Sequence, residues 1–337
     1  MAGRRGPTRL RRALALVCAG SLALTACTSG PDGPADRTTA APSATAASTT
    51  PQPSPTQTSP AEEPAPGGSP TDQAAMVERT TALVLGTDSR EPGTFDGRAD
   101  VIVLVQLVDT GQLALVSVAR DTYVPIPGHG EGKINSAVVH GGPDLMKDTV
   151  SELLGGVPID HVVQVDFEGF GTIAGELGGI TVDNEHADGR FDEGMIDLDA
   201  TTALDFVRER KQLPNGDLDR TGRARAVITG MMGRLAEIAQ NDPARLIELA
   251  PILTDTVRVV GDRDAEQLPM MIEMGQVIRD EGEVYSVMVP VRGFATVDGQ
   301  SVNLLDEART EELGEALRAG DLSGYVERYG TSVAPTG

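Results

Sequence analysis

The chain has 337 residues, 50 of them acidic and 28 basic, for a formal net charge of −22. That acidity excludes a general affinity for nucleic acid or for anionic surfaces, so any anion it binds must meet a local site. Cys18 and Cys27 are its only cysteines and both fall in the first 27 residues, which excludes a disulfide framework in anything that follows.

Five arginines stand in the first 12 residues, and the apolar run ALALVCAGSLALTA follows at 13–26. A basic start before a short apolar run reads as an export signal, because a bilayer span needs about 20 apolar residues. The run ends in LTAC (24–27), similar to a bacterial lipobox. It predicts cleavage before Cys27 and lipidation of its thiol; an ordinary signal cut at a nearby small residue is the alternative. Loss of residues 1–26 removes five arginines and no acid, moving the net charge from −22 to −27. Residues 28–75 hold no aliphatic larger than Ala and no aromatic. They cannot bury enough apolar surface to fold, so residues 27–75 read as a lipidated cysteine and a disordered tether. The tether spans roughly 35–40 Å as a coil and roughly 150 Å extended. This layout predicts a lipid-anchored domain at the extracytoplasmic face of the cell membrane.

One α/β domain is expected from 76 to 330, with a disordered tail at 331–337. TALVLGTDSR (81–90), DVIVLVQLVD (100–109) and QLALVSVARD (112–121) read as strands, the last two as a hairpin about Thr110–Gly111. GGPDLMKDTVSELLGG (141–156) reads as a helix with Pro143 in its first turn and glycines at its end. Then come a strand at 161–167, a short helix at 168–179, a short strand at 180–184 and helices at 199–210 and 220–240, the latter with Val227, Ile228, Met231, Met232 and Leu235 at helical spacing. Helix-like segments at 243–257 and 266–280, a strand at 284–291 and a helix at about 304–318 complete the reading.

Three polar clusters stand at strand ends or loops, where functional groups collect. GTDSREPGTFDGRAD (86–100) supplies Asp88, Arg90, Asp96, Arg98 and Asp100. Asp88 and Asp100 could share a hard divalent cation, with Arg90 and Arg98 on phosphate oxygens; a solvated loop with weak surface ion pairs fits as well. The second cluster ends an apolar strand in Arg120–Asp121, followed by Lys133 in a Gly-rich loop; a charged pair there needs partners, whether substrate or other strand ends. The third is RERKQLPNGDLDRTGRAR (208–225), with six basic and three acidic residues. Arg208 and Arg210 suit a helix C-terminus, whereas Arg220, Arg223 and Arg225 near a helix N-terminus call for an anionic partner. Arg225 reads as a solvated neighbour. The four histidines show no metal-ligand spacing.

In order along the chain, LVLGTDSR, GRADVIVL, SVARDTYVPIPGHGEGKINSA, GGPDLMKDTVSELLG, IDHVVQVDFEGF, LGGITVDN, LDATTALDFVRER and GDLDRTGRAR resemble the LytR-CpsA-Psr family of cell-envelope phosphotransferases. The resemblance covers about 82–240. It implies a single α/β/α domain with a mixed central β-sheet and an apolar polyprenyl-binding tunnel. It implies Mg2+-dependent (or Mn2+-dependent) transfer of a glycopolymer from a polyprenyl-linked (pyro)phosphate to peptidoglycan through a phosphodiester, in cell-wall assembly. The same residues would also serve a polyprenyl-pyrophosphate phosphatase or a non-catalytic polyprenyl-phosphate-binding regulator. By motif match, Asp88 and Asp100 are metal-associated and either is the candidate base. Arg98, Arg120, Arg208 and Arg210 are the phosphate-binding arginines, with Arg90, Asp121, Lys133 and Arg220 as lesser candidates. Ala119 stands where the family usually has Pro, and Ala224 where it often has Gln. Most members carry a transmembrane helix, whereas this chain reads as a lipoprotein.

Overall fold

The structure, a computed structural model, describes residues 79–87, 97–108, 111–261 and 267–336. The predicted export signal, the predicted lipidation site at Cys27 and the predicted tether lie outside the described residues. Strands β1 (Arg79–Thr87), β2 (Ala99–Val108) and β3 (Gln112–Ser117) form an antiparallel meander. A hairpin of β4 (Tyr123–Ile126) and β5 (Gly130–Lys133) leads to helix α1 (Ala137–Leu153). Strand β6 (His161–Asp166) then pairs parallel with β1. After it come α2 (Phe167–Glu176), a hairpin of β7 (Ile180–Asn184) and β8 (Gly194–Leu198), and helices α3 (Ala200–Arg208), α4 (Asp217–Asn241) and α5 (Pro243–Thr256). Strand β9 (Val257–Gly261) pairs antiparallel with β6. Helix α6 (Gln267–Arg279) precedes β10 (Glu283–Met288), which pairs parallel with β3. The hairpin β11 (Val291–Val297) and β12 (Gln300–Leu305) and helices α7 (Glu307–Ala319) and α8 (Ser323–Tyr329) end the fold.

The central sheet is mixed, with strand order β10-β3-β2-β1-β6-β9. Its inner strands are mainly apolar because both faces are covered. Alternation along β2 assigns the faces: Val101, Val103, Val105 and Leu107 pack under α2 to α6, and Ile102 and Leu104 pack under α1, α7 and α8. The fold is therefore α/β/α, as the sequence implied. Helices α4 and α6 cross closely at Gly275, where a Cβ would come within 2.0 Å of the Met232 carbonyl oxygen.

Several boundaries differ from the sequence reading for local reasons. Helix α1 begins at Ala137 rather than 141, and it is broken at Gly142 (φ 69°) so that Pro143 opens its second part. The segment read as a helix from 304 is strand to Leu305; Asp306 then accepts from the Arg309 backbone N–H and starts α7 at Glu307. The hairpins β4–β5 and β11–β12, strands β8 and β9 and helix α8 carry too few apolar repeats to be read in advance.

The C-terminal tail, expected to be disordered, is docked through Thr336. Val333 is buried with Ala119, Leu218, Met288 and Val291. The Thr336 N–H donates to the Val291 carbonyl, and its hydroxyl bonds to Asp306 Oδ2 at 2.7 Å. One apolar anchor and two hydrogen bonds are enough to order a short segment, and the domain reaches beyond 330. Deleting residues 331–337 is expected to cost about 2 kcal/mol and to lower Tm by roughly 2–4 °C, read by calorimetry. An unchanged Tm would mean the tail is dispensable.

Candidate active site

Three elements converge at the C-terminal end of β3. Asp100 is the second residue of β2, and Arg120 follows the last residues of β3 through the buried Val118–Ala119. Arg120 Nη1 donates to Asp100 Oδ2 at 2.8 Å. Arg220, buried in the first turns of α4, places Nη1 3.5 Å from the same oxygen, and its Nη2 donates to the Asp100 carbonyl at 3.1 Å. Asp217 closes the ring, with Oδ1 3.0 Å from Arg220 Nη2 and Oδ2 3.6 Å from Arg120 Nε. Two guanidiniums and two carboxylates thus alternate, the arrangement that offsets the cost of taking charges out of water. Burial pulls the Arg120 guanidinium down, but Asp217, Asp100 and Asp121 outweigh it and hold it above its ordinary value.

Arg208 and Arg210 are held on a fixed turn. Helix α3 starts in a capping box between Asp199 and Thr202 and ends at Arg208, where a cation is favourable. The Arg208 guanidinium lies 5.2 Å from the Phe167 ring centroid. The Glu209 carboxylate accepts from the backbone N–H groups of Arg210, Lys211 and Gln212. Desolvation pushes that carboxyl up, but the three N–H groups outweigh it and hold it low. Asp219 grips the far end of the turn through the N–H and Nδ2 of Asn215, at 2.7 and 3.0 Å. Both arginines stay exposed and face a cavity of about 300 Å3 lined by Asp100, Arg120, Phe167, Arg208, Arg210 and Arg220. Counting Asp217 beside it, four guanidiniums face two carboxylates, a local surplus of two positive charges in an acidic protein.

The structure thus brings Asp100, Arg120, Arg208, Arg210 and Arg220 together. Asp121 and Lys133 form their own pair at 3.0 Å, with Asp121 3.8 Å from Arg120 Nε. Arg98 is exposed just before β2 and does not line the cavity. Asp88, Arg90 and Asp96 lie outside the described residues. Asp217 and Phe167 were not singled out from sequence. An acid in the first turn of a helix that opens with arginines was the available signal for Asp217.

Arg220, Arg223 and Arg225 find their partners within the chain. Arg223 is buried on Asp188, at 2.7 Å, and stacks over Phe206 at 4.3 Å. Arg225 is not a solvated neighbour: it is wholly buried, donating from Nε to Ser286 and from Nη1 to Ser117 and Thr221. Burial pushes its guanidinium down to about 10. Ser117 in turn bonds to Thr221, and Thr221 to the Leu218 carbonyl, so the network ties the opening of α4 to β3.

Along α4, residues 217, 220, 224, 228, 231 and 235 are three or four apart and form one stripe. It begins with Asp217 and Arg220, passes the buried Ala224, and ends in Ile228, Met231 and Leu235. Those last residues, with Phe170, Leu253, Met270, Met271 and Met274 among others, line an apolar cavity of about 90 Å3 between the sheet and α2, α4, α5 and α6. The charged and apolar cavities therefore follow one another along one face of one helix, about 12 Å apart from Arg220 to Ile228.

A family model described as the LytR_cpsA_psr family matches residues 44–319. The chain belongs to that family. It is 38% identical over 196 residues to a polyisoprenyl-teichoic acid–peptidoglycan teichoic acid transferase TagU of Oceanobacillus iheyensis, covering 55% of this chain and 60% of that protein. With the TagU of Enterococcus faecalis it shares 31% identity over 70% of this chain and 80% of that protein. The crystal structure of B. subtilis TagU superposes with TM-score 0.57 at 27% identity, covering 72% of this chain and 96% of that one. A structure of TagT bound to LI-WTA gives TM-score 0.57 at 25% identity, over 72% and 90%.

Arg223 depends on a carboxylate that is itself buried, with an Asp188 side chain only 1% exposed. Asp188→Ala is expected to cost about 3–5 kcal/mol in urea unfolding. Desolvation raises the Asp188 carboxyl, but the Phe191 and Arg190 N–H groups and Arg223 outweigh it and hold it below its ordinary 3.8. Its contribution is therefore full above about pH 4 and is lost as pH falls through the depressed value. The variant should lack that part of the acid dependence.

Proposed function

We propose that the chain transfers a glycopolymer from a polyprenyl-linked (pyro)phosphate donor to peptidoglycan, forming a phosphodiester. The observation that carries this reading is the single stripe of α4 that runs from the arginine cavity into the apolar one. A charged head and an apolar tail on one ligand match that order. The relatives named as polyisoprenyl-teichoic acid–peptidoglycan teichoic acid transferases support it. At about 90 Å3 the apolar cavity is only about three waters' worth of space. A prenyl chain would have to spread the helices, and the flexible Met231, Met232, Met270, Met271 and Met274 suit that repacking.

In the reaction, the acceptor hydroxyl oxygen bonds to the phosphorus that carries the polymer. The bond from that phosphorus to the bridging oxygen breaks, and polyprenyl phosphate leaves with the electron pair. Such transfers are mainly positioning and charge stabilisation. Arg208 and Arg210, exposed and not tied into an ion pair among the described residues, are placed to bind the phosphate oxygens. Arg120 and Arg220 back them while Asp100 and Asp217 fix their orientation. Taking up the acceptor proton would cost Asp100 its pairing with Arg120, so we assign that proton to Asp88. The carboxylates of Asp100 and Asp217, and by motif match that of Asp88, would hold a hard divalent cation, which takes oxygen ligands. Among the described residues there is no group of three or more side chains that could hold a metal ion, so the phosphates would supply the remaining ligands of Mg2+ or Mn2+. When bound, the cation would offset charge on the phosphates and the leaving group. The reading also places the domain at the extracytoplasmic face, held by lipid on Cys27. Among the described residues no helix is long and apolar enough to cross a membrane.

The test is the full chain with lipid-linked donor, peptidoglycan and Mg2+. Arg208→Ala and Arg210→Ala should each lower kcat/KM by roughly 10²–10³ without moving Tm, since both side chains are exposed. Chelation should abolish transfer and Mg2+ restore it. Met231→Trp should exclude long-chain donors and spare short-prenyl ones. No transfer by a folded sample would sink the reading, and phosphate release without incorporation would point to a hydrolase.

A further inference from the structure

A third cavity, of about 430 Å3, lies on the other side of α4. Its floor is a second stripe of that helix: Gly222, Ala226, Gly230, Gly233 and Glu237, again three or four apart. This stripe faces half a turn away from the one holding Arg220, Ile228 and Met231, so the cavity is separate from both the phosphate and the apolar sites. Its walls are β7, the end of α6 and the edge strand β10, and its size falls within the range of small-molecule sites.

Arg225 supplies the observation that points to a ligand. Its side chain is wholly buried and three of its polar contacts are made, yet among the described residues Nη2 has no hydrogen-bond partner. A Cβ built on Gly222 would stand 3.6 Å from that Nη2 and 3.9 Å from Glu185 Oε2. The missing side chain at Gly222 therefore leaves a gap between a buried donor and an exposed carboxylate, on the cavity's own floor. A buried donor left unpaired is costly, and a ligand oxygen in that gap would satisfy it.

The lining narrows the ligand class. Asp183 and Glu185 are exposed carboxylates, Glu185 lying close enough to act on the Arg225 guanidinium, and Arg279 adds a guanidinium to the lining. Acceptors and donors of both signs suit a ligand whose hydroxyls both donate and accept. Gly230 packs against the Thr181 carbonyl of β7, where a Cβ would come within 2.7 Å, so the open part of the floor lies at Gly222, and the exposed Met195 adds apolar surface to the lining. We propose that this cavity binds a sugar unit of the peptidoglycan acceptor strand. The proposal rests on the transfer reaction above. Asp219 and Arg223 wall this cavity while Asp217 and Arg220, in the same turns of α4, wall the phosphate site. The two sites are back to back across one helix, about 10–12 Å, and a glycan seated here can extend around the start of α4 toward the phosphates.

The test uses the full chain and the soluble N-acetylglucosaminyl–N-acetylmuramic acid disaccharide, with binding read by calorimetry. Glu185→Ala removes an exposed side chain. Gly222→Ala adds a methyl at ordinary contact distances, so both variants should fold. Each is expected to weaken disaccharide binding at least tenfold and raise the acceptor KM alike, with donor KM within twofold. Unchanged affinity in both variants, or displacement of the disaccharide by the delipidated donor glycan, would overturn the assignment. A wild-type chain that binds the disaccharide through Glu185 yet transfers nothing would sink the transfer reading and leave the sugar site standing.

Discussion

The architecture turns on one shared carboxylate. Asp100, at the start of β2, is held by Arg120 from the end of β3 and by Arg220 from the first turns of α4. Its backbone carbonyl takes a further bond from Arg220. The sheet and the long helix are thereby fixed to each other at the point where the chain must hold several positive charges close together. Mutual repulsion among four arginines is tolerable because Asp100 and Asp217 alternate with two of them, leaving Arg208 and Arg210 as the exposed pair.

Support for that ring comes from behind. The buried Arg225, Ser117 and Thr221 tie α4 to β3 one turn below the charged residues, and the tail packs Val333 against Ala119, the residue before Arg120. Ala119 is one of the two departures from the family pattern, and it shares an apolar cluster with Val333 of the docked tail. Ala224, the other, is buried in the core on the stripe between Arg220 and Ile228.

Much of this was legible in the sequence. Strands β1, β2, β3 and β6 declared themselves as apolar runs because both faces of the sheet are covered, and α4 showed its buried stripe at helical spacing. The ordered motifs named Asp100, Arg120, Arg208 and Arg210 as one site, together with Arg98, which does not line the cavity, and Asp88, which lies outside the described residues. What the sequence could not show was pairing across long separations. Arg220 and Arg223 read as cations in need of an outside anion, because Asp100 and Asp188 are distant along the chain. Arg225 read as a surface residue because its hydroxyl partners sit on β3, β10 and α4, an arrangement no local pattern encodes. The tail lacked periodicity, and a single valine anchor leaves no periodic trace.

Helix α4 thus serves as a partition: one stripe runs from the arginine cavity to the apolar one, and the opposite stripe floors a polar cavity. The most direct test is a crystal structure of the chain with a polyprenyl pyrophosphate. The account predicts density for the phosphates among Arg120, Arg208, Arg210 and Arg220, with the prenyl chain running along Ile228, Met231 and Leu235. A prenyl chain lying on the Gly222–Gly233 face, or phosphates bound away from Arg208 and Arg210, would contradict it.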